Sequence, residues 1–324
     1  GVQLFYDITG PQDAPAILFS NSLGTTIEMW DAVIRLVAPY YRCVRYDTRG
    51  HGRSEAKGAF ATMDDLAADA AGLLDVLGIE RAHIAGLSIG GMTAQALALA
   101  YPEKVLTVTL MATTAYLPPA SAWEERAELV LKSGLAPLAE ATMERWFTAL
   151  FRQNAPAEVN KILSRFLATS PEGYAACCRA IRDMDLRGRL AGLTAPVLII
   201  AGDQDPSTPP AMSEDLKARI PDAELHVISP AAHLIAVERP ALVADLLLDF
   251  LRRREGEARP RQSAAFHGGL ANRKSVLGVE HVERTMENTG PFAAPWQDFV
   301  TRMAWGEVWG DPTLPWKTRS IVTL

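Results

Sequence analysis

Ser88 lies in the pentapeptide Gly86–Gly90, which reads Gly-Leu-Ser-Ile-Gly and fits the pattern G-x-S-x-G. The apolar stretch Ala82–Ser88 predicts a buried strand, and helical periodicity follows over Met92–Tyr101. Glycines on both sides permit the tight strand-to-helix turn that lifts a serine hydroxyl above a sheet, beside a helix N-terminus that favours negative charge. The pattern predicts a nucleophilic serine. The alternative is an ordinary helix-capping serine in a glycine-rich turn.

A serine hydroxyl becomes nucleophilic when a base takes its proton, and the partners of such an elbow follow in the order Ser, Asp, His. Of the six histidines, His233 has the suitable position, in a loop between the last predicted strand and the last predicted helix. The other five precede the serine, lie within a predicted strand or lie beyond a predicted linker: His51, His83, His226, His267 and His281.

The acid is expected where the strand Val197–Gly202 ends, and two aspartates follow it directly. We prefer Asp205 and keep Asp203, a turn-forming residue, as the alternative. The acid would fix the histidine tautomer and stabilise the imidazolium.

An oxyanion hole requires two backbone donors. The pattern predicts that these donors are the N–H of Ile89, directly after the nucleophile, and the N–H of Leu23, in the loop after the first apolar strand. A simple Asn/Gly turn is the alternative interpretation of that loop.

Short apolar runs alternate with helical patterns up to about Arg254, and this alternation predicts an α/β fold with a mostly parallel sheet covered by helices. A helical insertion, residues 116–190, predicts a cap above the carboxyl ends of the strands. The final helix is predicted over Leu234–Arg254. The predicted strands are Ala16–Ser22, Arg42–Asp47, Ala82–Ser88, Val105–Ala112, Val197–Gly202 and Glu224–Ser229.

The chain has 324 residues, which at roughly 150 residues per domain suggests two domains. We predict an α/β domain over 1–255, a linker over 256–265 that is charged and contains glycine and proline, and a helical segment over 266–324. The net charge of −6 gives the chain no overall positive charge with which to bind a nucleic-acid backbone, so no nucleic-acid partner is predicted.

Three cysteines cannot form a disulfide framework, and we therefore predict a reducing compartment, the cytoplasm. No uncharged apolar run reaches the ~18 residues of a membrane span, so no membrane partner is predicted. The terminal residues Gly1 and Leu324 suggest a fragment at both ends.

Residues 1–255 resemble the α/β-hydrolase fold through Ser22–Gly24, Asp47–Ser54, Gly86–Gly90, Gly202–Asp205 and His233. Within that fold, Phe19–Thr25 and Glu144–Thr148 are similar to 3-oxoadipate enol-lactonases. Most relatives have His-Gly in the oxyanion loop, whereas this chain has Asn21-Ser22, as the enol-lactonases tend to. The resemblance implies hydrolysis of a carboxylated lactone without a metal or organic cofactor.

An anionic substrate requires a local cation because the chain as a whole is acidic. We favour Arg145 for the substrate carboxylate and Trp146 as a wall of the pocket, since both lie in the lactonase-like segment. The other candidate cations of the cap are Arg126, Lys132, Arg152 and Arg165.

Residues 266–324 resemble the first half of 4-carboxymuconolactone decarboxylase, a small, helical and oligomeric family. The similar segments are Arg273–Gly278, His281-Val282, Met303–Trp309 and Thr318–Ser320. Fusion of an enol-lactonase to this decarboxylase is a known arrangement in the protocatechuate branch of aromatic degradation. The resemblance implies a homo-oligomer through the C-terminal domain, but no decarboxylase catalytic residue is assigned. An amphipathic dimerisation segment is the alternative.

Two other functions fit the same motifs. One is an esterase or C–C bond hydrolase that uses the same triad on another substrate. The other is a non-catalytic, hydrolase-like binding protein. Burst release of product from an activated ester separates a working triad from the binding protein.

Overall fold

A seven-stranded sheet is the centre of the fold within the residues that the computed structural model describes, 2–56, 61–256, 264–287, 297 and 300–309. In chain order the strands are β1 (Tyr6–Thr9), β2 (Ala16–Ser20), β3 (Arg42–Tyr46), β4 (Ala82–Leu87), β5 (Val105–Met111), β6 (Val197–Gly202) and β7 (Ala223–Ile228). Their spatial order is β1-β3-β2-β4-β5-β6-β7, and every neighbouring pair is parallel except β1 with β3. The mostly parallel sheet predicted from the sequence is confirmed.

The central strands are buried on both faces, which explains their strong signal in the sequence. Every residue of β2, β4 and β6 is buried, and successive side chains point to opposite faces, so both faces of the sheet are covered. The sequence did not predict β1. Its Tyr6 and Ile8 are exposed at the edge of the sheet, and a short, half-polar edge strand has no continuous apolar run.

Helices connect the strands and follow the last one. Those outside the insertion are α1 (Asp31–Val37), α2 (Met63–Val76), α3 (Ile89–Ala100), α9 (Pro210–Arg219), α10 (Ile235–Glu238) and α11 (Pro240–Glu255). The single final helix predicted over Leu234–Arg254 is wrong, because α10 and α11 are separate helices. Pro240 begins α11, and a proline, which lacks an N–H, cannot continue the hydrogen bonding of a preceding helix.

The insertion between β5 and β6 is helical, as the sequence predicts. Its helices are α4 (Ala120–Ser133), α5 (Ala139–Trp146), α6 (Ala149–Asn154), α7 (Pro156–Leu167) and α8 (Pro171–Asp183). The two ends of the insertion meet, since Tyr116 and Asp185 form an antiparallel bridge and the Leu186 N–H donates to the Ala115 carbonyl at 2.9 Å. The insertion is therefore closed at its base. We call this insertion the cap.

The C-terminal segment contains α12 (Ala264–Leu277), α13 (Val279–Glu287) and a π-helix over Thr301–Val308. Gly256, with φ +77°, ends α11, and α12 begins inside the predicted linker 256–265. Residues 257–263, within that linker, and Thr318–Ser320, part of the decarboxylase-like motif, lie outside the described residues. In the described part of the chain, no helix is long and apolar enough to cross a membrane.

Candidate active site

The backbone at Ser88 has the strained conformation of a nucleophile elbow. Ser88 has φ +60° and ψ −120°, a combination that residues other than glycine rarely adopt. Two hydrogen bonds hold it there: the Ser88 N–H donates to the Met111 carbonyl at 2.9 Å, and the Thr113 hydroxyl donates to the Ser88 carbonyl at 2.7 Å. The serine therefore sits at the junction of β4 and α3, where the sequence motif predicts a nucleophile.

The two glycines of the motif are required by close approach. A Cβ on Gly86 would lie 2.1 Å from the Gly90 carbonyl oxygen, and a Cβ on Gly90 would lie 2.1 Å from the Ser20 carbonyl oxygen. Relief of either contact would require a shift of α3 or of the strand end that it contacts. The two glycines of G-x-S-x-G are thus required because α3 packs directly against the ends of two strands.

His233 and Asp205 form a buried hydrogen-bonded pair. The His233 Nδ1 atom lies 2.8 Å from Asp205 Oδ2, and both side chains are almost fully buried. Because Nδ1 is engaged by the carboxylate, Nε2 is the ring nitrogen left for another partner. His233 and Ser88 line the same cavity. The structure thus brings together the three side chains that the sequence selects, although they lie far apart in the chain.

Asp205 is held as a carboxylate by several donors. Oδ1 accepts from the Ser207 N–H at 2.8 Å and the Thr208 N–H at 3.1 Å, and Oδ2 accepts from the Thr208 hydroxyl at 2.7 Å. Burial alone would raise the pKa of Asp205, but interaction with His233 and the hydrogen bonds from His233 and Thr208 outweigh it, and the pKa is lowered. The site therefore favours an ionised acid facing the imidazole.

Asp203, the alternative acid, has different partners. Its Oδ2 accepts from the Ser229 hydroxyl at 2.7 Å, and its Oδ1 accepts from the Ala231 N–H at 3.0 Å. The residue is exposed and its carboxylate holds the start of the loop that carries His233. The geometry thus associates Asp205, and not Asp203, with the histidine ring.

The loop after β2 lies opposite the elbow. The Asn21 side chain donates to the Tyr46 carbonyl at 2.8 Å and accepts from the Trp30 indole N–H at 2.9 Å. This buried amide therefore fixes the loop to β3 and to the residue directly before α1. Leu23 lines the cavity together with Ser88. Ile89 is the first residue of α3, where a backbone N–H has no partner within its own helix. Both predicted oxyanion donors therefore belong to segments that border the serine.

A cavity of about 270 Å³ lies between these loops and the cap. The sheet side contributes Ser22, Leu23, Ser88, Pro206, Ser207, Thr208 and His233. The cap side contributes Leu117, Pro118, Pro119, Ala122, Trp123, Arg126, Thr142, Arg145, Trp146, Tyr174 and Ile181. A half-open chamber that presents apolar and polar groups in similar measure suits a small organic molecule with polar substituents.

Comparison with known proteins identifies the fold family. A family model described as the alpha/beta hydrolase fold matches residues 15–240. The chain belongs to the alpha/beta hydrolase family. The hydrolase is 41% identical over 239 residues to 3-oxoadipate enol-lactonase 2 of Acinetobacter baylyi, a match that covers 74% of this chain and 89% of that protein.

Solved structures give the same assignment. The enol-lactonase from Burkholderia xenovorans LB400 is 38% identical, with a TM-score of 0.75, over 77% of this chain and 96% of that one. A thermophilic esterase from Thermogutta terrifontis, described as malate-bound, is 29% identical, with a TM-score of 0.75, over 78% of this chain and 94% of that one. The family model ends at residue 240, so the C-terminal segment of the hydrolase lies beyond it.

Two arginines of the cap line the cavity of the hydrolase without an acidic partner. Among the described residues, neither Arg126 nor Arg145 forms a salt bridge. Burial, followed by the positive charge of Arg126, lowers the pKa of Arg145. Two like-charged guanidinium residues in the lining of one chamber give it a local excess of positive charge, which suits an anion.

The other predicted cations do not line this cavity. Arg152 lies 3.5 Å from Glu144, Arg165 lies 3.5 Å from Glu28, and Lys132 is exposed. Of the five cap cations considered from the sequence, the fold brings Arg126 and Arg145 to the chamber. Trp146 also lines it and is packed edge-on against Phe166, with ring centroids 5.5 Å apart.

Sequence reasoning missed several residues of the site. Thr208, whose hydroxyl bonds to Asp205, follows Ser207, whose N–H closes an aspartate-centred turn two residues after Asp205. That turn pattern could have indicated Thr208. Trp123 and Tyr174 line the cavity from α4 and α8. No local signal marks these two aromatic residues, because only the packing of the cap brings them to the chamber.

Proposed function

We propose that this hydrolase opens 3-oxoadipate enol-lactone to 3-oxoadipate with Ser88, His233 and Asp205 as its catalytic triad. The observation that carries the proposal is a strained serine and a buried His–Asp pair lining a cavity that contains two arginines without acidic partners. The similarity to enol-lactonases supports the same substrate class.

In the acylation step, Ser88 Oγ attacks the lactone carbonyl carbon while His233 Nε2 takes the hydroxyl proton. The carbonyl π electrons move to the oxygen, and the N–H groups of Leu23 and Ile89 stabilise the resulting oxyanion. Asp205 stabilises the imidazolium that forms. These roles use the serine at the end of β4 and the histidine in the loop after β7, which line the same cavity.

Collapse of the tetrahedral intermediate breaks the ring C–O bond and releases an enolate. The enolate takes the proton from the His233 imidazolium and becomes the 3-oxo ketone, which leaves His233 neutral. An enolate is a better leaving group than an alkoxide, so acid assistance from His233 matters less here than in amide hydrolysis. His233 then activates a water molecule that cleaves the acyl-enzyme. Each step uses protein groups and water, with no metal or organic cofactor.

The substrate carboxylate is assigned to Arg145, with Arg126 beside it and Trp146 as a wall of the chamber. A guanidinium fork can bind both carboxylate oxygens, and desolvation inside the cavity strengthens the contact. Two partly buried cations without an acidic partner favour a carboxylated substrate over a neutral ester, which would leave both charges without an anion.

The direct test is turnover of freshly generated 3-oxoadipate enol-lactone, measured beside neutral aryl esters. We expect kcat/KM for the lactone to exceed that for the esters by at least an order of magnitude. Comparable or higher efficiency on the neutral esters would contradict the lactone assignment and favour a general esterase. No hydrolysis of either substrate would favour the binding protein.

Replacement of Arg145 by alanine is expected to raise KM for the carboxylated lactone at least tenfold and to leave turnover of a neutral ester nearly unchanged. The physical reason is loss of a desolvated, charge-assisted hydrogen-bond pair, which contributes about 1.5–3 kcal/mol when one partner is ionised. Steady-state kinetics on both substrates provides the measurement.

Arg152→Ala is the matched control, because Arg152 belongs to the same cap but lies against Glu144 outside the cavity. It should leave both activities close to wild type. Equal losses on the two substrates in Arg145→Ala would assign Arg145 to folding of the cap instead of substrate recognition.

We propose separately that residues 266–324 are the beginning of a decarboxylase-like domain. Support comes from the sequence resemblance and from the helical character of α12, α13 and the segment Thr301–Val308. Because the resemblance covers about half of that family's length, the 324-residue chain should not decarboxylate 4-carboxymuconolactone. Release of carbon dioxide from that lactone would contradict the expectation.

A further inference from the structure

Glu238 is a buried carboxylate at the end of α10, five residues after His233. It is 2% exposed, and burial raises the pKa of the carboxyl. A buried carboxylate is unfavourable unless hydrogen bonds compensate for its lost hydration. Here Oε2 accepts from the Ala232 N–H at 2.5 Å, and Oε1 accepts from the Thr148 N–H at 2.7 Å.

The two N–H groups belong to different functional segments. Ala232 immediately precedes His233 in the loop after β7. Thr148 lies two residues after Trp146, in the turn between α5 and α6 of the cap. A second bond joins the same segments, since the Leu234 N–H donates to the Trp146 carbonyl at 3.0 Å. The histidine loop and the cap segment that carries Arg145 are therefore attached to each other on both sides of His233.

We propose that Glu238 is a positioning residue that couples the cap to the catalytic histidine. Its carboxylate holds the His233 loop and the Arg145–Trp146 segment in a fixed relative position. The residue that recognises the substrate and the residue that transfers the proton are thereby kept at a constant distance. The inference rests on the proposed function for the roles of His233 and Arg145. The hydrogen bonds that carry it are independent of the substrate's identity.

Asp203 provides an internal comparison. Its carboxylate accepts from the Ala231 N–H, one residue before the N–H that Glu238 engages. Asp203 bonds to the loops at the end of the sheet, whereas Glu238 bonds to the cap. Both carboxylates hold the histidine loop, but Glu238 alone of these two connects it to the cap.

The backbone at Thr148 allows the bond between the cap and Glu238 to be broken from the cap side. Thr148 has φ −58°, close to the value that proline requires, and Phe147 before it is extended, with φ −130° and ψ 141°. Thr148→Pro therefore fits the backbone and eliminates the N–H that donates to Glu238. Its Cδ takes the place of that hydrogen, so the Glu238 carboxylate must also turn away from the cap. Thr148→Ala is its matched control, because both variants lose the hydroxyl that caps α6 but alanine keeps the N–H.

The decisive measurement is kcat for p-nitrophenyl acetate, a small neutral ester that does not need Arg145. If Glu238 couples the two segments, Thr148→Pro should lower this kcat about tenfold or more relative to Thr148→Ala, since an ångström of misplacement can cost roughly 10²-fold. Glu238→Gln, which cannot accept both N–H groups, should lower kcat similarly relative to wild type. Both variants should also raise KM for the enol-lactone.

Circular dichroism and thermal melting establish that the compared variants are folded at the assay temperature. Equal ester kcat for Thr148→Pro and Thr148→Ala would overturn the proposal, as would a lower melting temperature of Glu238→Gln with unchanged kcat. If the wild-type protein hydrolyses the ester but not the lactone, the lactone assignment fails. The ester comparison then still decides the role of Glu238.

Discussion

Replacement of Ser88 by alanine is expected to abolish nearly all hydrolysis of both the enol-lactone and aryl esters. Alanine removes the attacking oxygen but keeps the oxyanion donors and the cavity. The residual rate should therefore be roughly 10³–10⁴-fold above the reaction in water. The measurement is kcat on both substrates, together with the burst of p-nitrophenol that an acyl-enzyme produces.

A matched comparison is His233→Ala, which should lower kcat by a similar factor because the serine and its base act as a unit. The double variant should lose little more than either single variant. Retention of more than a few per cent of wild-type turnover by Ser88→Ala would exclude this serine as the nucleophile. Additive losses in the double variant would show that Ser88 and His233 do not act together.

Replacement of Asp205 by asparagine is expected to lower kcat by up to ~10⁴-fold. An amide cannot stabilise the imidazolium by charge, and it no longer fixes the histidine tautomer that leaves Nε2 free to take a proton. The 2.8 Å contact between His233 and Asp205, together with the lowered pKa of the acid, indicates that the ionised carboxylate is the form the site holds. Steady-state kinetics with the enol-lactone and an aryl ester measures the loss.

Asp203→Asn is the control for this prediction. Asp203 accepts from Ser229 and Ala231, and an asparagine oxygen can keep one of these bonds, so the loss of activity should be mild. The opposite ranking, a severe loss in Asp203→Asn and a mild one in Asp205→Asn, would transfer the role of triad acid to Asp203.

The amino-acid sequence by itself predicted the elements that depend on local pattern. Buried parallel strands require continuous apolar runs, and the six predicted strands all lie in the observed sheet. The elbow at Ser88 was predictable because close approach of backbones allows only glycine at Gly86 and Gly90. The exposed edge strand β1 was missed because it produces no strong periodic signal. The break before Pro240 was missed although the proline itself marks it.

The sequence also reduced the candidate acids and cations to short sets. It preferred Asp205 over Asp203 and Arg145 over four other cap cations, but spacing along the chain could not show which partner each side chain meets. The fold associates Asp205 with His233 and Asp203 with the histidine loop. It also places Arg126, which the sequence ranked below Arg145, in the same chamber.

The tertiary structure alone decided the contacts between segments that are distant in the chain. Thr148 and Glu238 are separated by 90 residues, and no local pattern relates the turn of a cap helix to the helix after the histidine loop. Hydrophobic periodicity records which face of an element is buried, and glycine records where backbones approach closely. Which polar side chains bond to each other depends on the three-dimensional packing of whole elements. The sequence therefore indicated the candidate catalytic residues, and the fold determined the hydrogen bonds that connect them.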